Sequence, residues 1–133
     1  MGQVEDKICL DTDVLVNFLR NKEEEVEFIT KNEDKVVFAT TFVNLFELYY
    51  GAYKSKSFGR LAQVEELQHR LKILNLSRLA VQKAGEILTI LEKQGKTIDF
   101  RDLLIGCTAQ AEGFCMKTNN KKHFERIPLL IVK

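Results

Sequence analysis

No stretch of this chain is apolar for long enough to span a bilayer, and its N-terminus lacks the apolar run of a secretory signal. After Met1-Gly2 the sixth residue is Asp6 rather than Ser or Thr, so the myristoylation pattern fails too. The expectation is a cytoplasmic protein without membrane association. Cysteine is scarce: Cys9, Cys107 and Cys115 are odd in number, lie in apolar stretches and form no CxxC pair. They read as buried free thiols of a reducing compartment. The two histidines, His69 and His123, stand apart, which argues against a zinc site. A surplus of one charge is missing as well. Twenty Lys and Arg against nineteen Asp and Glu leave a net charge of +1, which is no bulk nucleic-acid signature. Repeats, low-complexity tracts and linkers are absent, and the length of 133 residues suits a single domain over 1–133.

What is present is an ordinary globular composition, 45% apolar and 29% charged, with a clear alternation of patterns. Ile8-Cys9-Leu10 is a short buried strand that ends abruptly in Asp11-Thr12-Asp13. Short amphipathic helices over Val14–Arg20 and Glu23–Asn32 follow, with Asn21 ending the first. Val36–Ala39 is a second strand, rich in β-branched residues. Thr40 or Thr41 caps an apolar helix from Phe42 to Tyr53, and Gly51 with the stretch from Ser55 to Gly59 marks a flexible connection. A polar helix over Arg60–Arg70, a strand over Ile73–Leu76, a long helix from Ser77 to Gln94 and another from Phe100 to Glu112 come next. Gly95 and Gly113 stop the last two. Phe114–Met116 and Leu129–Val132 complete five strands. Strands alternating with helices imply an α/β sandwich around a parallel sheet. Leu45, Phe46, Leu48, Tyr49 and Tyr50 are too apolar for one buried face, so part of that helix is an expected association surface. Two basic clusters, Lys54 with Lys56 and Arg60, and Lys117 with Lys121 and Lys122, read singly as solvated loops.

Three carboxylates sit where their surroundings make them costly. Asp11 ends a buried strand, Glu47 interrupts the run Asn44 to Tyr50, and Asp102 shares a helix face with Ile105, Gly106 and Ala109, small or apolar residues that let another backbone approach. A carboxylate in an apolar setting must protonate, pair or bind a cation. Oxygen ligands without Cys or His point to Mg²⁺ or Mn²⁺. Each acid also has a plain structural explanation. Asp11 and Asp13 can cap the helix at Val14, Glu47 can face solvent, and Asp99 with Asp102 has the spacing of an ordinary helix start. The loop Thr118-Asn119-Asn120-Lys121-Lys122-His123-Phe124 follows the fourth strand and so opens at the same end of the sheet. His123 reads as a turn residue packed beside Phe124 in preference to a catalytic one.

Leu10-Asp11-Thr12-Asp13-Val14-Leu15, Phe46-Glu47-Leu48 with Gly51, Ile98 through Asp102-Leu103-Leu104-Ile105-Gly106, and Thr118 through Asn120 to His123-Phe124-Glu125-Arg126-Ile127-Pro128 together resemble the PIN domain. They are most similar to the VapC toxins of bacterial and archaeal toxin–antitoxin pairs. The motifs are weak singly and fairly specific jointly, and in order they span nearly the whole chain. The resemblance implies a PIN-like three-layer α/β/α sandwich with a mostly parallel central sheet of four to five strands. It matches Asp11, Glu47 and Asp102 to the family's acidic metal ligands. Asn120 falls where members carry Asp or Asn, so a fourth acid is absent, and His123 lies where many members have Asp. Leu129 replaces a Gly often found after Pro128. Three matched acids suit one firmly bound metal ion.

The implied activity is divalent-metal-dependent endoribonuclease chemistry by the toxin of a type II pair. Asp11, Glu47, Asp102 and Asn120 would be catalytic, the three acids holding Mg²⁺ or Mn²⁺. Thr12, Asp13, Asp99 and His123 would support them, Thr118 or Asn120 would hold water or a phosphate oxygen, and Lys121 and Lys122 would meet the RNA backbone. The implied partners are RNA, a VapB-type antitoxin and a second copy of the chain. Two rivals share the same residues. Asp11-Thr12-Asp13 also resembles the first motif of haloacid-dehalogenase-like phosphatases, with Asp11 as nucleophile, a reading that leaves Glu47 and the Thr118–Pro128 loop unexplained. A non-catalytic PIN-like module that binds RNA or protein is the other.

Overall fold

The computed structural model describes residues 6–133; Met1 and Gly2, which carry the reading of the N-terminus, lie outside them. The chain runs β1 (Asp6–Leu10), α1 (Thr12–Leu19), α2 (Glu23–Asn32), β2 (Val36–Thr41), α3 (Phe42–Ser55), α4 (Phe58–Leu67), β3 (Lys72–Leu74), α5 (Arg78–Lys93), α6 (Phe100–Ala111), β4 (Cys115–Lys117) and α7 (Lys121–Phe124). The four strands form one all-parallel sheet in the order β3-β2-β1-β4. Strand period two sends Ile8 and Leu10 to one face and Cys9 to the other. Ile8 and Leu10 join Phe38 in a core beneath α1 to α4. Cys9, Ala39 and Met116 pack against α5 and α6. Helices therefore cover both faces, as an all-parallel sheet requires.

The order has one reversal. From β1 the sheet grows outward through β2 to β3, and β4 then returns to the opposite side of β1. In open parallel sheets the crevice at the carboxyl ends of such neighbouring strands is where ligands bind. Here that crevice lies between the ends of β1 and β4, where Asp11 and Thr118 follow their strands. The backbone stays registered to this point, with the Asp11 N–H donating to the Lys117 carbonyl at 3.0 Å.

Local chemistry explains most boundaries. Thr41, Ser57, Ser77 and Asp99 cap α3 to α6 in that order, each side chain accepting a backbone N–H of the following turn. Gly95 and Gly113 take the positive φ of helix stops. Cys9 and Cys107 are buried and Cys115 half-buried, all free thiols.

Several expectations change. Gly51 marks no connection; it lies inside α3, which runs on to Ser55 because one glycine costs a helix only about 1 kcal/mol. Lys54 consequently sits in α3, Lys56 caps it in a left-handed conformation, and Arg60 belongs to α4. Lys121 and Lys122 open the short helix α7 rather than lying in a loop. The expected fifth strand over Leu129–Val132 shrinks to a single parallel bridge between Val132 and Met116. Leu129 has φ +67°, which ends any extended run there, and β4 offers only three residues to pair with. Gly106 does allow a close approach, though by side chains rather than backbone: a Cβ there would lie 2.3 Å from Ile127 Cδ1.

Candidate metal centre

Asp11 is the hub of the crevice, and 6% of its surface is exposed. Oδ1 accepts from its neighbour's backbone, Thr12 N–H at 2.9 Å, and from the Asn44 amide at 3.0 Å. Oδ2 accepts from the Thr118 hydroxyl at 2.7 Å. All three donors are neutral. Burial is therefore the main influence on this carboxyl and pushes its pKa up to about 6; the Thr118 bond works against the rise, and the charges of Asp13 and Asp102 add to it. The cap expected of Asp11 is real, yet a cap alone needs no burial and no second strand.

Two side-chain relays lead from this hub to the other acids. On one side the Asn44 amide also donates to Thr12 Oγ1 at 2.9 Å, and Thr12 donates to Glu47 Oε1 at 2.7 Å. On the other, Thr118 Oγ1 accepts from the Asn120 N–H at 2.9 Å, and the Asn120 amide donates to Asp102 Oδ2 at 3.1 Å. His123 Nδ1 lies 3.0 Å from that amide and 3.4 Å from Asp102 Oδ2. Asp13 is tied on both oxygens by backbone donors, Val14 N–H at 2.7 Å and Asn119 N–H at 3.1 Å. It thus pins the loop after β4 to the start of α1. Partial burial raises its pKa, against those two bonds.

Asn44 escaped the sequence reading. It is wholly buried and is held by a reciprocal cap, its N–H on Thr41 Oγ1 and its Oδ1 facing the Thr41 hydroxyl at 2.8 Å. The Thr41-x-x-Asn44 spacing is a capping-box signal that would have revealed it. Asp99 lies outside the crevice's polar network. It caps α6, and Arg101 folds back on it, with Nε at 3.3 Å and Nη2 at 3.1 Å. That guanidinium lowers the Asp99 pKa. Lys121 and Lys122 are exposed and make no ion pair with the acids among the described residues.

As they stand, no three His, Cys, Asp or Glu side chains among the described residues close into a ligand group. Two residues stand between Asp11 and the far acid in each relay. The donor set nevertheless fits a hard cation in kind and charge. Among the described residues Glu47 Oε2 and Asp102 Oδ1 accept no hydrogen bond, and Asp11 is buried without a counter-charge. Beside Glu47 a groove of about 140 Å³ opens between α1, α3 and α4, lined by apolar Leu48 and Val64 with Arg20 and Arg60.

Over 123 residues the chain is 32% identical to "Ribonuclease VapC2" of Haemophilus influenzae, covering 91% of this chain and 92% of that one. It is 33% identical, at the same coverages, to "tRNA(fMet)-specific endonuclease VapC" of Shigella flexneri. The crystal structure of VapBC2 from Rickettsia felis bound to a promoter DNA fragment superposes with a TM-score of 0.85 at 30% identity, over 96% of this chain and 97% of that one. The PIN domain family model matches residues 8–130. This chain belongs to the PIN domain family.

Proposed function

We propose that the chain is the endoribonuclease toxin of a type II toxin–antitoxin pair, with Asp11, Glu47 and Asp102 holding one divalent cation, Mg²⁺ or Mn²⁺. The observation that carries the reading is the double relay from buried Asp11, through Asn44 and Thr12 to Glu47 and through Thr118 and Asn120 to Asp102. A nuclease named ribonuclease or tRNA endonuclease in its relatives supports the substrate class.

The cation, when bound, supplies water activation and neutralises charge on the phosphoryl oxygens. The chain's own residues supply orientation. Thr118, Asn44 and the Thr12 N–H fix the Asp11 carboxylate, so its lone pairs need no reorganisation. Thr12 steadies Glu47, and Asn120 steadies Asp102 with His123 beside it. Asp13 keeps the Thr118 loop docked. Lys121 and Lys122, exposed in the first turn of α7, offer salt-dependent backbone contacts with RNA.

The partner is a VapB-type antitoxin, in keeping with solved neighbours that are VapBC complexes. A homodimer fits the outer face of α3, where Phe46 and Tyr50 stack with centroids 6.3 Å apart while 60% and 58% exposed. A monomer at micromolar concentration by light scattering would remove that part. No described helix is long and apolar enough to cross a membrane, and a cytoplasmic site of action follows from the RNA substrate. The phosphatase reading loses its footing: Thr40 donates to the Leu10 carbonyl and Thr41 caps α3, so both hydroxyls are committed to the fold. The test is RNA cleavage by purified protein with Mn²⁺. Wild type should cut and Asp102→Asn should not. Metal-dependent cutting that survives Asp102→Asn would sink the site, and no cutting by wild type would favour the binding module.

A further inference from the structure

We propose that Arg101 is the phosphate-binding residue at the mouth of this cleft, and that Asp99 is its positioning residue; the inference rests on the ribonuclease reading. Phosphodiesters are anions, and a cleft whose carboxylates are Asp11, Asp13, Glu47 and Asp102, with His123 alone beside the last, repels them. Among the described residues Arg101 is the only Lys or Arg with a nitrogen within 4 Å of any of these four carboxylates.

Its orientation is constrained. The Asp99 carboxylate is fixed by accepting the Arg101 backbone N–H at 2.8 Å, and it then takes the fork of the same residue's side chain. The guanidinium plane is thereby held by two of its nitrogens. Nη1 is left over and leans toward the cleft, 3.9 Å from Glu47 Oε2, too far for a hydrogen bond. A planar donor with five N–H groups, anchored on one edge and open on the other, suits a phosphate oxygen. Lysine at this position would keep the charge and lose the anchored plane. With the Arg101 side chain 47% exposed, the ion pair to Asp99 adds little stability, so a purely structural role leaves the arrangement unexplained.

Steady-state cleavage of a labelled single-stranded oligoribonucleotide with Mn²⁺ tests this, together with Mn²⁺ titration calorimetry. Arg101→Gln should raise KM about tenfold with a smaller change in kcat, and should lower the log–log salt slope of RNA affinity by about 0.7, one contact on a single strand. Arg101→Lys should recover the slope and only part of KM. Asp99→Asn, which still caps α6, should raise KM about threefold. Mn²⁺ affinity should stay within about threefold throughout. An unchanged KM and salt slope in Arg101→Gln would overturn the proposal. So would a tenfold gain in Mn²⁺ affinity with KM unchanged, which would make Arg101 a counter-ion of the acids. A wild type that does not cut RNA defeats the functional reading instead, so the two failures are distinct.

Discussion

Asp11 and Asp99 are the same side chain, each capping a helix, with opposite fates. Asp11 is buried among neutral donors and its pKa rises to about 6; Asp99 is exposed beside Arg101 and its pKa falls. Two caps of equal sequence appearance thus differ in whether the protein supplies the counter-charge. At Asp99 it does, in cis. At Asp11 it withholds it, and the proposed cation is what would supply it.

The contrast is sharpest in activity. Asp11→Asn should lower cleavage on the order of 100-fold or more, beyond what loss of a supporting hydrogen bond causes, whereas Asp99→Asn stays within a fewfold. Equal losses at both positions would break the contrast.

Stability should move the other way. With EDTA present, Asp11→Asn should stabilise the protein at pH 8 by up to about 3 kcal/mol, because the folded pKa of about 6 stands above the ordinary 3.8. The sign follows from proton binding. The folded state holds the extra proton, so stability should fall as pH rises from about 4 to about 6 and remain lower above. Asp99 acts oppositely, its contribution present above the ordinary carboxylate pKa and lost as pH drops below it. Thermal melts of wild type and Asp11→Asn between pH 4 and 8 should converge at the acid end and separate above pH 6; parallel curves would contradict the burial account.

Thr118→Val removes the one hydroxyl on Asp11 Oδ2 and leaves the Asn120 N–H without its acceptor. A loss of about 2 kcal/mol at pH 7 is expected by urea denaturation. The smallest effect lies at the far end of the chain, where Leu129→Gly should add about 0.5–1 kcal/mol by relieving the positive φ of a residue that is 87% exposed. A destabilised glycine variant would mean that Leu129 packs in a way its exposure does not suggest.

Periodicity and turn chemistry made the sheet, six helices and the three acids legible, because β1 and β2 are apolar runs and each acid interrupts an apolar pattern. Four features were hidden for physical reasons. Leu129–Val132 looks like a strand, but β4 offers only three residues to pair with and Leu129 takes a left-handed conformation that local propensity does not announce. Helix α7 is four residues of Lys, Lys, His and Phe, with no periodicity to read. Spacing from Thr41 marks Asn44 as a helix cap, but its bond to Asp11 arises only where β2 ends beside β1. Arg101 gives no signal in the sequence, because its fork to Asp99 depends on a helix cap whose rotamer no pattern encodes.

Mn²⁺ titration calorimetry on wild type, Asp11→Asn, Glu47→Gln and Asp102→Asn tests the central claim most directly. One site in the wild type, weakened at least about tenfold by each substitution, is the result predicted. Wild-type Mn²⁺ affinity in all three variants would contradict it.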